Sequence, residues 1–223
     1  MSVIETLHKC PVCSHQQSEI IHRGRWQLRF CKHCTVHWND DIPSNEELKE
    51  YYRSQYRLTH SSVDQQQLLD EMRRMSRMPE QLYLMSQLQR FSPEGKTVLD
   101  IGCDRGGFLD EARRFGYQTI GVELSESARN FAHNIGLDVR ESIEETPNDW
   151  ADIVTLHHVL EHIPEPIDFL HHVSSKLKDD GIIFLRVPDF GSLWSKLMKS
   201  RWLWFQPENH YLHYSKQSLQ MLL

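Results

Sequence analysis

Four cysteines near the start of the chain form two matched pairs, Cys10-Pro11-Val12-Cys13 and Cys31-Lys32-His33-Cys34, with residues 14–30 between them. Two residues between cysteines let one tight turn aim both thiolates at a single ion, and a second such turn completes a tetrahedron. The spacing therefore predicts a structural zinc site held by Cys10, Cys13, Cys31 and Cys34. A redox role would need a thioredoxin-like β-α-β setting, which the flanking residues lack. His8, His15, His33 and His37 lie close by, but four thiolates already saturate a structural site, so these histidines receive no role. Between the knuckles, Trp26, Leu28 and Phe30 alternate as one face of a short hairpin would.

A second chemical feature is the stretch Val98-Leu99-Asp100-Ile101-Gly102-Cys103-Asp104-Arg105-Gly106-Gly107. It has the form of a strand leading into a nucleotide-binding turn and then a helix, but Asp104 occupies one glycine position of a Gly-x-Gly-x-x-Gly pattern. About twenty residues later, Thr119-Ile120-Gly121-Val122-Glu123 ends in a carboxylate, as recognition of ribose hydroxyls requires. Asp104 discriminates between adenosine cofactors. A dinucleotide places pyrophosphate at the helix start, where a carboxylate repels it by about a kcal/mol or more. S-adenosylmethionine carries no phosphate, and its sulfonium and ammonium groups are cationic, so acids at positions 100 and 104 suit it.

The third feature is the histidine-rich stretch Leu156-His157-His158-Val159-Leu160-Glu161-His162, followed much later by His210-Tyr211-Leu212-His213-Tyr214. Methyl transfer to a hydroxyl needs a base to take its proton, and histidine near its ordinary pKa does so at neutral pH. His158, His162 and His210 are the candidate bases, with loop hydrogen bonding as the alternative role of each. The 210–214 segment is expected to fold over the site. His158-Val-Leu-Glu-His162 also matches a metalloprotease pattern. That pattern needs an uninterrupted helix, and Pro164 and Pro166 follow at once, so no second metal is expected from it. Trp194, Trp202, Trp204 and Phe205 form either a lid or a packing cluster.

These residues need a scaffold. Alternating apolar runs predict strands at 97–102, 118–123, 137–141, 152–157 and 181–187, with helices at 106–115, 126–135, 165–178 and 191–199. That order predicts an α/β fold, a doubly wound and mainly parallel sheet whose ligand crevice lies beyond the carboxyl ends of the strands. Residues 44–91 read as helix: Ser44 and Glu47 form a capping box, and Leu68, Met72, Met75, Leu82, Met85 and Leu88 make a packing stripe that Pro79 kinks or divides. The linear division is then a zinc ribbon (1–43), a helical linker or lid (44–92) and a cofactor-binding domain (93–223).

The 223 residues allow one moderate domain and a small appendage, and 39% hydrophobic with 25% charged residues is ordinary for a globular protein. A net charge of −6 argues against a large phosphate-tracking surface, although Arg23, Arg25, Arg29 and Lys32 near Trp26 keep open an RNA-binding ribbon. No apolar run of about 18 residues and no signal peptide are readable, which places the chain in the cytoplasm and away from membranes.

The knuckles, VLDIGCDRGGFL, TIGVELSESA, DIVTLHHVLEHIPEP, LKDDGIIFLRVPDFGS and PENHYLHYSKQSL together resemble a class I S-adenosylmethionine-dependent methyltransferase with an N-terminal zinc ribbon. The resemblance implies a small-molecule acceptor, in many relatives a sugar or glycan precursor. It places Asp100, Gly102, Asp104 and Gly106 along the methionine part of S-adenosylmethionine, Glu123 on the ribose, Ser142 and Ile143 at the adenine, and His157 beside the cofactor. An acid is frequent where Ser142 stands. The fold implied ends in two further strands beyond residue 223, and a sheet lacking them offers an edge to a second copy, a homodimer. A non-catalytic module keeping the cofactor pocket is the remaining alternative.

Overall fold

The computed structural model describes residues 9–39, 47–48, 50, 65–76, 79–91 and 96–223. They form two compact units: the described parts of 1–44, 158–171 and 186–223 make one, and those of 45–157 and 172–185 the other. This partition differs from the linear one expected. The N-terminal segment shares its unit with two later stretches, because a late strand completes its sheet.

In the first unit, β1 (Glu19–Arg23) and β2 (Trp26–Phe30) pair as the expected antiparallel hairpin, from Glu19 opposite Phe30 to Arg23 opposite Trp26. The next strand, β3 (His37–Asn39), lies against β2, and the short strand Leu212–His213 pairs with β3, Trp38 opposite Leu212. Trp38 and Leu212 are fully buried and Tyr214 nearly so, so residues 210–214 are a core strand and its flanks rather than a flap. Burial of this apolar and aromatic surface outweighs the freedom a flap would keep. Beside the sheet, Leu28, Phe190 and Phe205 pack with Trp26 and Trp202, while Trp194 stays 69% exposed; the tryptophans thus divide between packing and surface.

In the second unit the central strand β4 (Thr97–Ile101) is buried at every position, as a strand covered on both faces must be. It is flanked by β5 (Gln118–Val122) and β7 (Ala151–His157), with β6 (Val139–Arg140) and β8 (Leu177–Arg186) outermost in the order β6-β5-β4-β7-β8. Strand β4 runs parallel to both neighbours. The helices include α1 (Gln65–Ser76) and α2, which runs from Pro79 (Pro79–Phe91); residues 77–78, where the kink or division is expected, lie outside the described residues. Of their stripe, Leu68 and Met72 pack against Phe131, and Met85 and Leu88, joined by Leu84 from outside it, against Val98 and Phe108. Ser44 of the capping box lies outside the described residues. Helices α3 (Gly107–Arg114) and α4 (Glu126–Asn134) follow β4 and β5, and Ser125 caps α4 by accepting from the Ala128 amide.

Helix α5 (Pro166–Ser174) ends four residues early against expectation, and β8 begins at Leu177 rather than at 181. The buried Lys176 explains the change. Its Nζ donates to the Thr146 carbonyl at 3.1 Å and to Asn148 Oδ1 at 2.7 Å, and its own carbonyl accepts from the Ala151 amide, which pulls the chain into the sheet. Helix α6 (Leu193–Met198) lies inside the span expected for it, and α7 (Lys216–Leu222) follows the late strand, now β9.

The sheet and α3 meet tightly at Gly121. A Cβ there would stand 2.6 Å from Cys103 Sγ and 2.7 Å from Leu109 Cδ1, both buried. Gly121→Ala is expected to lower stability by about 1–3 kcal/mol through overpacking, read as a lower urea midpoint at unchanged slope. An unchanged midpoint would contradict this packing.

Candidate functional site

The second unit gathers its polar residues at the carboxyl edge of the parallel sheet. Asp100, one residue before the end of β4, lies opposite Gly121 of β5 and Thr155 of β7. Its side chain is 3% exposed and accepts a 2.6 Å hydrogen bond from Thr155 Oγ1. Burial, helped by the nearby Glu123 carboxylate, pushes its pKa up to about 7. Gly102 and Cys103 then turn the chain, both amides donating to the Val122 carbonyl. Asp104 is exposed at φ 49, a left-handed conformation that aspartate tolerates. Its amide donates to Glu123 Oε2 at 3.0 Å, and the Ser125 amide donates to Oε1 at 2.7 Å, so two backbone bonds fix the Glu123 carboxylate. Burial pushes the Glu123 pKa up as well.

Gly106 caps α3 at φ 80, where a Cβ would stand 2.4 Å from Leu137 Cδ1; only glycine fits both demands. Ser142 and Ile143 enter a single 3-10 turn after β6, both half-buried. His157 closes β7 with its ring edge-on to Phe108, centroids 5.2 Å apart. All eight residues expected around the cofactor thus belong to one unit, on the turns and strand ends at its carboxyl edge. Two supporting residues escaped sequence reasoning. Thr155 is the one hydroxyl in the buried run Ile153–Leu156 and holds Asp100. Arg129 is half-buried beside the same loop and donates to the Glu123 and Leu124 carbonyls and to Glu141. A polar residue inside an apolar strand was the available signal for the first; the second had none.

The first unit holds the cysteines and the candidate bases. Cys10 and Cys34 sulfurs lie 3.4 Å apart, those of Cys13 and Cys31 3.6 Å apart, and all four are within 4.8 Å of one another. Each knuckle closes the same way: Ser14 donates to the Cys10 carbonyl and Thr35 to that of Cys31, both donors at positive φ. The hydrogen bond to Cys10, and then burial, push the Cys34 thiol far up. Four cysteine sulfurs at such range fit the tetrahedral set that zinc takes.

His158, at φ 55, places Nδ1 3.1 Å from Glu161 Oε1 and stacks on Trp204, centroids 4.7 Å apart. His162 and His210 sit edge to face at 4.9 Å, and burial pushes both pKa values down. The basic residues beside Trp26 are turned to partners within this unit. Arg23 lies over Phe190 and Phe205 and donates to Ser195 Oγ, Arg29 donates to Ser18 Oγ, Lys32 pairs with Glu19 and Arg25 with Glu208.

A parallel sheet carrying an acidic first turn and a second acid after the next strand defines a class I S-adenosylmethionine-dependent methyltransferase domain. The methyltransferase-domain family matches residues 73–223, and the chain belongs to it. The chain is 35% identical over 105 residues to the ubiquinone biosynthesis O-methyltransferase of Actinobacillus pleuropneumoniae, covering 40% of this chain and 44% of that protein. It spans less than half the length of such curated relatives. Among solved structures, a SAM-dependent methyltransferase from Archaeoglobus fulgidus is 26% identical with a TM-score of 0.51, over 63% of this chain and 65% of that one. The magnesium protoporphyrin IX methyltransferase of Synechocystis, solved with bound SAH, shares the fold at 16% identity with a TM-score of 0.59, over 80% and 87% of the chains. Among the described residues no helix is long and apolar enough to cross a membrane.

Asp100 gives a pH test. Its pKa in the folded protein is about 7, above the ordinary 3.8, so the fold favours the protonated acid. The unfolded chain ionises first, and as pH rises from about 4 through 7 this residue increasingly destabilises the folded state. Asp100→Asn removes the charge but keeps an acceptor for Thr155. It is expected to raise the melting temperature more at pH 8 than at pH 5; an equal effect at both would show that the acid is not buried in this way.

Proposed function

We propose that the protein transfers the methyl group of S-adenosylmethionine to a hydroxyl of a small-molecule acceptor, on a scaffold that includes a structural zinc held by Cys10, Cys13, Cys31 and Cys34. The observation that carries this reading is the buried Asp100 carboxylate beside Glu123 at the edge of the parallel sheet. The two acids suit a ligand bearing positive charge, and they repel a pyrophosphate. A cationic ligand favours the ionised form of Asp100 and so reverses part of its burial penalty. Asp100, Gly102, Asp104 and Gly106 would line the methionine portion, Glu123 the ribose, Ser142 and Ile143 the adenine, with His157 beside them. The names of the curated relatives, O-methyltransferases, support oxygen as the attacked atom.

S-adenosylmethionine supplies an electrophilic methyl group. The acceptor oxygen forms the new bond to carbon as the carbon–sulfur bond breaks and its electrons return to sulfur. The chain must bind both partners in line and remove one proton. His158 is the best furnished base of the three. Its Nδ1–H donates to Glu161, which fixes the tautomer and puts the lone pair on Nε2, a buried atom with no hydrogen-bond partner. Burial makes His162 and His210 weaker proton acceptors. The internal pairing of Arg23, Arg29 and Lys32 supports a small acceptor over an RNA strand. A sugar or other hydroxyl-bearing metabolite fits this reading.

Incubating the full chain with methyl-labelled S-adenosylmethionine and a panel of hydroxyl-bearing small molecules should yield an acceptor heavier by one methyl group, detected by mass spectrometry. Asp100→Asn is expected to weaken S-adenosylmethionine binding by roughly tenfold or more at pH 8; unchanged affinity would refute the role of that acid. Cys31→Ser should lower the zinc content and the melting temperature together. Full zinc retention would refute the sulfur site.

A further inference from the structure

The first unit contains a second group of side chains able to ligate a metal, of which the methyl-transfer reading uses Glu161 alone, to orient His158. Glu161, His162 and His210 each bring one donor atom within 4.8 Å of the other two. Glu161 lies in the 3-10 turn Leu160–His162 and is 1% exposed. Its Oε1 meets His158 Nδ1, while Oε2 is buried with no hydrogen-bond partner. Such an oxygen is costly unless a cation takes it. Among the described residues no lysine or arginine forms an ion pair with it; its one ion-pair partner is His158.

The two histidines are oriented for the same purpose. His162 Nδ1 lies 2.7 Å from the Asn209 carbonyl, and His210 Nδ1 lies 3.0 Å from the Trp204 carbonyl. A carbonyl can only accept, so each ring carries its proton on Nδ1 and its lone pair on Nε2. This second-layer arrangement is the one metal-bound imidazoles use. Backbone bonds hold the two chain segments in register: the Tyr211 amide donates to the Glu161 carbonyl at 2.9 Å, and Asn39 Nδ2 donates to the Pro207 carbonyl at 2.6 Å.

From this geometry we infer that Glu161, His162 and His210 bind a divalent first-row transition ion of the zinc or iron(II) type, separate from the four-cysteine site. Two imidazoles and one carboxylate suit such ions, and three protein ligands leave a coordination position for water or another oxygen donor. The ligand set differs from the metalloprotease pattern in the sequence. His158 is not a ligand but orients the carboxylate, and the third donor arrives from a segment far along the chain. The inference is independent of the methyl-transfer reading and stands whether or not that reading holds.

Cobalt(II) provides the test, because thiolate ligation gives intense sulfur-to-metal absorption and nitrogen–oxygen ligation does not. The full chain, stripped of metal and titrated with cobalt(II), should take up a second equivalent after the sulfur bands saturate. That equivalent should survive dialysis and lack sulfur absorption. Glu161→Gln and His210→Ala should each lose it while keeping the sulfur bands, which report that the same unit is folded. Saturation of the wild type at the sulfur site alone, loss of the second equivalent on dialysis, or its retention in Glu161→Gln would each overturn the assignment. Should a variant fail to fold, the wild-type stoichiometry decides the question.

Discussion

The arrangement of the second unit depends on a carboxylate placed where water cannot solvate it. Asp100 sits at the end of a strand buried at all five positions, held by one hydroxyl and facing a second acid. A protein keeps such a group only where something pushes back, and positive charge from a ligand is the simplest counterweight. The neighbouring features serve the same end. The Asp104 and Ser125 amides fix Glu123, Thr155 fixes Asp100, and Gly106 lets α3 start beside Leu137 without a clash.

The first unit follows a different logic. A segment of about forty residues cannot bury enough apolar surface alone. Sulfur ligation would supply part of the missing stability, and β9 supplies more by adding Leu212 and the flanking tyrosines to the sheet over Trp38. That closure joins residues about 170 positions apart, and it also brings His210 beside the Leu160–His162 turn. A sheet completed late in the chain thus assembles a cluster that neither segment contains by itself.

Local patterns carried much of this in the sequence. The cysteine spacing, the alternation of Trp26, Leu28 and Phe30, the run at 97–101 and the packing stripe through Leu68 and Leu88 each reflect a periodicity that survives in the fold. The acids were legible because charge beside a glycine turn is selective between cofactors. What failed was non-local. The 210–214 segment carries no local signal for its partner, and pairing with β3 makes it core. The early start of β8 depends on Lys176 finding Thr146 and Asn148, and no window around residue 176 contains those partners. Three histidines that looked alike in sequence are separated by their neighbours: a carboxylate for His158, backbone carbonyls for His162 and His210.

In the proposed reading, a cationic ligand is received by an acid that is about half protonated near pH 7 in the unliganded protein. Calorimetry of S-adenosylmethionine binding near pH 7, in buffers of different ionisation enthalpy, measures the protons exchanged on binding. Release of a substantial fraction of a proton per site is expected in the native protein and none in Asp100→Asn. Binding without proton release in the native protein, or the same release in the variant, would contradict it.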